Sequence, residues 1–141
     1  MLSSDRLQAM CEAARASIRD TGRITVVGTG TTPRFELFHA ASSLCSQKVR
    51  TVLFEKRMPY QSNEMLILSS VDDTGAIVPA EHYSAAYVRL RLLARQRDRE
   101  QFVDGYSGST SVETEGFDPC VVPLLIDHEA GRVVADSKRI C

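Results

Sequence analysis

An α/β fold built on a mixed sheet is what the sequence predicts, and three observations carry that expectation. Residues 35–39 alternate as a strand and lead into residues 45–57, where Val49, Val52 and Leu53 share one helical face until Met58-Pro59 stops it. A second strand is expected over residues 60–68. One helix between two strands implies parallel pairing with a right-handed crossover. Towards the other end, residues 120–126 read as a strand, residues 127–132 hold a glycine-bearing turn, and residues 133–135 form the hairpin partner.

The remaining elements follow in order. Residues 3–19 read as a helix capped by Ser3 or Ser4, with Leu7, Met10, Cys11, Ala14 and Ile18 at helical spacing, and Thr21-Gly22 ends it. Ile24-Thr25-Val26-Val27 is a short apolar run before a Gly/Thr/Pro linker over residues 28–33. That linker is read as the boundary between an N-terminal extension, residues 1–33, and a main domain, residues 34–141. Residues 69–119 are too long for an ordinary connection and are read as an insertion. Within it, residues 81–102 are expected to be helical, with Tyr83, Tyr87, Leu90 and Leu93 on one face, and residues 106–116 to be loop. Asp136-Ser137 caps a last helix inside which the sequence stops.

Composition narrows the functional classes. A chain of 141 residues suffices for one domain, and a net charge of -1 gives no electrostatic reason to expect nucleic acid or an anionic membrane as partner. Arg89, Arg91, Arg95, Arg97 and Arg99 are interrupted by Asp98 and Glu100, and the run reads as a solvated helix face. Residues 1–20 lack the apolar core of a signal peptide, and no stretch approaches the ~20 apolar residues that span a bilayer. The four cysteines, Cys11, Cys45, Cys120 and Cys141, form neither a disulfide framework nor a zinc pattern, which points to free thiols in a reducing cytoplasm. His39, His82 and His128 have no ligand spacing, so no metal is expected. Gly28-Thr29-Gly30 lacks a third glycine and leads into a strand, which argues against a dinucleotide loop.

The chemistry concentrates at Ser43-Leu44-Cys45-Ser46, where strand passes into helix. A helix N-terminus carries roughly half a positive charge and unpaired amide donors, and both stabilise a thiolate. No second cysteine completes a C-x-x-C pair, so a cycle at Cys45 needs a thiol from outside, for which glutathione is the cytosolic supplier. Each feature has a plainer reading when taken alone. A lone cysteine near a helix start is more often a small buried apolar group, and Cys11 and Cys120 fit core faces. Lys48 reads as a solvated lysine, Pro123 as an edge-strand proline, and Asp136-Ser137 as an ordinary N-cap.

Together and in this order, the Ser43/Cys45 helix start, Val122-Pro123 before a strand and Asp136-Ser137 at a further helix resemble the N-terminal, thioredoxin-like domain of the glutathione transferase superfamily over residues 35–141. The resemblance implies a thioredoxin-like βαβ-(insertion)-ββα sandwich with a mixed sheet and an N-terminal helical extension. In the family the matching proline is cis and turns the main chain of Val122 outward, to pair with the cysteinyl unit of glutathione. Asp136 and Ser137 match the acidic-Ser pair that binds the γ-glutamyl end, with Asp136 a shortened version of the usual glutamate. Ser43 to Arg50 is similar to the Ser-x-Cys-Ser-x-Lys/Arg-x-Arg pattern of reductive dehalogenases of chlorinated hydroquinones, and also of the zeta class. The inserted block, with Tyr87-Val88-Arg89-Leu90-Arg91-Leu92 and Gly116-Phe117-Asp118-Pro119, looks most like dichlorohydroquinone reductive dechlorinases, which also carry an N-terminal extension.

The activity this implies is glutathione-dependent reductive dehalogenation through a Cys45–glutathione mixed disulfide, with Ser43 hydrogen-bonded to the thiolate. Glutathione is then a co-substrate beside a small aromatic substrate, and a homodimer is compatible with the resemblance. Alternatives are a zeta-like isomerase, a generic glutathione or thiol transferase, and a non-catalytic glutathione-binding fragment. In the family an all-helical C-terminal domain supplies most of the acceptor-substrate site, and this sequence is expected to end before it.

Overall fold

The computed structural model describes residues 3–29, 32–95 and 120–141. Helix α1 (Ser4–Arg15) starts where the Ser3 hydroxyl accepts from the Arg6 amide at 3.3 Å, and it buries Leu7, Cys11 and Ala14. A short 3-10 turn, Thr21–Arg23, leads to β1 (Ile24–Val27). Then come β2 (Phe35–His39), α2 (Leu44–Glu55) and β3 (Tyr60–Glu64). A small ribbon of β4 (Ser70–Val71) and β5 (Ile77–Val78) precedes a 3-10 turn, Glu81–Tyr83, and α3 (Ala85–Arg95). The hairpin β6 (Leu124–Asp127) and β7 (Arg132–Ala135) leads to α4 (Ser137–Ile140).

Among the described residues, five strands form one sheet in the order β1-β3-β2-β6-β7, and in it only the β2–β3 pair is parallel. This is the expected mixed α/β sheet, and its β3-β2-β6-β7 part has the thioredoxin-like arrangement. Side-chain alternation divides two cores across it. Leu37 and Leu125 face α2, packing with Val49, Leu53 and Tyr60. Phe38, Leu124 and Ile126 face the opposite side, packing with Leu7, Cys11 and Ala14 of α1 and Tyr87, Leu90 and Ala94 of α3.

Several expected boundaries move, each for a physical reason. Ile24–Val27 lies in the expected extension, yet it is an edge strand pairing antiparallel with β3, from Ile24↔Asn63 to Val27↔Tyr60. Three of its four residues are exposed, so it lacks the burial contrast that marks an inner strand. The strand expected over residues 60–68 stops at Glu64, because its partner β2 stops at His39 and the Met65 amide turns onto the His39 carbonyl at 2.7 Å. The strand expected from residue 120 begins at Leu124, where pairing with Phe38 begins, and Cys120 sits half-buried in a turn. The helix expected over residues 45–57 ends at Glu55, and Arg57 follows with a φ of 51°.

The helix expected over residues 81–102 is a 3-10 turn followed by α3, split at Ser84, whose hydroxyl accepts from the Tyr87 amide at 3.3 Å. Tyr83 therefore leaves the shared face and is 57% exposed, whereas Tyr87 and Leu90 are fully buried. Helix α3 is thus a layer of the sandwich, although it falls inside the stretch read as an insertion. The rest of that expected helix, and the loop expected over residues 106–116, lie outside the described residues.

A buried carboxylate ties the N-terminal segment to the stretch after β3. Glu81 accepts both guanidinium nitrogens of Arg23 at 2.8 Å, the Leu66 amide at 2.8 Å and the Arg19 amide at 3.0 Å. Burial alone would raise this carboxyl, but the Arg23 guanidinium and the two amides outweigh it and hold the pKa at about 2, down from 4.5. A depressed folded-state pKa contributes stability that is complete above the unfolded value and lost as pH falls through the folded one. Stability is therefore expected to decline between pH 4.5 and about 2. In Glu81→Gln, urea midpoints across that window should vary less steeply with pH, and at neutral pH the variant should be about 3 kcal/mol less stable.

Candidate active site

The sheet register gathers three separate segments at one end. Phe38 pairs with Leu124, and Leu124 with Ala135. One residue further out stand His39, Pro123 and Asp136. The end of β2, the start of β6 and the end of β7 therefore emerge side by side, bringing together the Ala40–Ser43 turn with Cys45, Val122-Pro123, and Asp136-Ser137.

Cys45 is exposed and is the second residue of α2. The turn before it is fastened to the helix by the helix's own side chains. Ser43 is the N-cap, its hydroxyl accepting from the Ser46 amide at 3.2 Å. Ser46 is fully buried and accepts from the Ala40 amide at 3.2 Å, while the Gln47 side chain donates to the Ala41 carbonyl at 3.0 Å. The Ser-x-Cys-Ser spacing thus has a structural cause: the two serines set the turn and leave the thiol between them facing solvent. Lys48 is exposed, in keeping with a solvated lysine.

His39, just before this turn, is buried with Nε2 2.7 Å from the Ser62 hydroxyl. Burial, and then the Arg50 charge, lower its pKa to about 4, so the ring is neutral at physiological pH. The Val122–Pro123 peptide is cis. The carbonyls on either side of Val122 are engaged: Tyr87 donates its hydroxyl to Val121 at 2.6 Å, and Arg91 donates to Pro123 at 2.7 Å. Among the described residues, no hydrogen bond uses the N–H or C=O of Val122 itself.

Asp136 has a φ of 75° and a ψ of 123°, a conformation that costs a non-glycine residue on the order of 1–3 kcal/mol. Its carboxylate accepts from the Lys138 amide at 2.9 Å, so it caps α4. Ser137 follows, largely buried as the first residue of that helix. A strained backbone at the same end of the sheet as an exposed thiol turn is the kind of arrangement found where a ligand is gripped.

Two curated proteins are similar to this chain. Both are 2,5-dichlorohydroquinone reductive dechlorinases, from two strains of Sphingobium indicum. Each is 50% identical over 109 residues, which is 77% of this chain and 29% of the relative. The chain therefore spans less than a third of the length of the curated relatives it matches. No family model and no solved structure matches it. Among the described residues, no helix is long and apolar enough to cross a membrane.

Two features escaped the sequence pattern. Arg91, expected on a solvated face, is buried at 3% exposure, against the loop that carries Pro123. Its spacing of four residues from Tyr87, which sets both on one side of a helix, is the signal that could have revealed it. The second feature is a cluster of Cys11, Glu36 and His128, whose ligand atoms lie within 4.8 Å of one another. It has a metal-like composition but the wrong charge balance. The Arg15 guanidinium donates to Glu36 at 2.5 Å, Asn63 at 2.7 Å, and His128 is 2.7 Å from the other oxygen. Burial and the Glu36 charge push the Cys11 thiol up to about 12, keeping its proton on. The guanidinium already supplies the positive charge, and the donor set fits an ion-pair network.

Proposed function

We propose that this chain is the thiol-handling part of a glutathione-dependent reductive dehalogenase that acts on chlorinated hydroquinones. The observation that carries the proposal is the convergence of Cys45, Val122-Pro123 and Asp136-Ser137 at one end of the sheet. Half of the aligned residues are shared with two proteins named as 2,5-dichlorohydroquinone reductive dechlorinases, which supports the choice of reaction.

In this reading the N–H and C=O of Val122 pair with the cysteinyl unit of glutathione as an added strand would. Ser137 and neighbouring amides hold the γ-glutamyl carboxylate, and Asp136 faces the α-amino group. The glutathione thiolate adds to the quinonoid tautomer of the chlorinated ring, forming a carbon–sulfur bond and expelling chloride. Cys45 thiolate then attacks the sulfur of that conjugate. The sulfur–sulfur bond forms as the carbon–sulfur bond breaks, and the ring leaves with the electron pair and takes up a proton. A second glutathione thiolate displaces Cys45 from the mixed disulfide, releasing oxidised glutathione. The ring gains two electrons, and two glutathiones supply them. Ser43, whose oxygen already accepts from Ser46, keeps its hydroxyl hydrogen to donate to the Cys45 thiolate.

Thermal unfolding with glutathione tests the grip. A ligand at 100 times its Kd stabilises by about 2.7 kcal/mol, so millimolar glutathione should raise Tm by several degrees. An unchanged Tm at several millimolar would remove the basis of every glutathione reading.

A further inference from the structure

We infer that Tyr87 and Arg91 are positioning residues for the thiol co-substrate: from α3 they clamp the carbonyls of Val121 and Pro123, so that the main chain of Val122 is presented outward in a fixed orientation. The inference rests on the glutathione reading above and adds to it two residues that do not touch the ligand.

The geometry is specific. Tyr87 and Arg91 are four residues apart on α3, on one face, and are 0% and 3% exposed. Their targets are the two carbonyls flanking Val122, reached at 2.6 and 2.7 Å. The Tyr87 ring also packs on Phe38 of β2, with centroids 5.8 Å apart, which ties the clamp to the strand that leads into the Cys45 turn. Burial raises the Tyr87 hydroxyl to about 12, so it stays a donor throughout the physiological range. Burying a guanidinium is costly unless it is well hydrogen-bonded. An apolar side chain at position 91 would suffice for packing alone, whereas holding a carbonyl at a set angle calls for a donor. A short peptide pairing with a single residue's N–H and C=O depends on the orientation of that peptide unit, which the clamp controls.

The test compares Tyr87→Phe, Arg91→Met and Arg91→Lys with Leu90→Ala in the full-length protein. Leu90 is fully buried on the same helix and supplies a loss of stability without removing either hydrogen-bond donor of the clamp. Glutathione Kd is measured by calorimetry, and KM and kcat by dechlorination of 2,5-dichlorohydroquinone. The expected result is a glutathione Kd and KM raised about three- to fivefold in Tyr87→Phe and about tenfold in Arg91→Met, with kcat within about threefold of the parent. Arg91→Lys, which restores a donor, should recover part of the affinity, and Leu90→Ala should lower Tm with KM unchanged. Parent-like glutathione affinity in both Tyr87→Phe and Arg91→Met would overturn the clamp while leaving the glutathione reading intact. Equal weakening by Leu90→Ala would overturn it in favour of a general stability effect. If the parent itself binds no glutathione, the underlying reading fails and the clamp fails with it.

Discussion

Cys45→Ser is expected to cut formation of the dechlorinated hydroquinone by at least about a thousandfold while chloride release persists, with the aryl–glutathione conjugate accumulating in its place. The split follows from the order of bond changes. In the proposed cycle, chloride leaves when the glutathione thiolate adds to the ring, a step assigned to the Val122 and Ser137 grip and to no protein sulfur. In that cycle the ring is reduced only when a second sulfur removes glutathione from it, and Cys45 is an exposed thiol at that end of the sheet. A serine hydroxyl keeps the turn's geometry, since the capping bonds belong to Ser43 and Ser46, but it is a poor nucleophile towards sulfur. Chromatography of the products beside a chloride assay reads both halves. Loss of chloride release in step with the product would instead assign Cys45 to the first substitution.

The largest stability effect is expected at Glu36. Replacing it by alanine should cost about 3 kcal/mol, because it leaves a part-buried guanidinium, a buried amide and a part-buried imidazole without their shared acceptor. Glu36 lies on the central strand at 1% exposure, and Arg15, Asn63 and His128 converge on it from α1, β3 and the β6–β7 turn. Burial raises this carboxyl, but the hydrogen bonds from His128, Arg15 and Asn63 outweigh burial and bring its pKa below 4.5. Its contribution is therefore complete above the unfolded-state value and is lost as pH falls below it. Denaturant unfolding at neutral pH measures the loss. Removing both charges in Arg15→Met/Glu36→Leu should recover much of it, since the cost lies in the orphaned partner. Additive losses would show that Arg15 and Glu36 stabilise independently.

The parts legible in the sequence are those whose signal is local. The α2 start could be read because Ser43, Cys45 and Ser46 stand within four residues, and β2–α2–β3 because its periods switch within one short stretch. The β6–β7 hairpin was equally local. What escaped depends on distant partners. Ile24–Val27 becomes a strand only by pairing with residues far along the chain. Arg91 looks like one of a run of solvated arginines until the fold carries it against Pro123. Glu36 alternates within an apolar strand, and nothing nearby announces that Arg15 and His128 will close on it. Cys45, Val122-Pro123 and Asp136-Ser137 are far apart in sequence, and the sheet register brings them to one end.

The central claim, that Cys45 strips glutathione from an aryl conjugate, is tested most directly by intact-mass analysis and peptide mapping of the full-length protein. The protein is mixed with an equimolar amount of the glutathionyl-hydroquinone conjugate, without free glutathione, and quenched with acid. The account predicts one glutathione added to the protein, located on Cys45, together with one equivalent of reduced hydroquinone. Reduced hydroquinone formed with no mass added to Cys45 would contradict it.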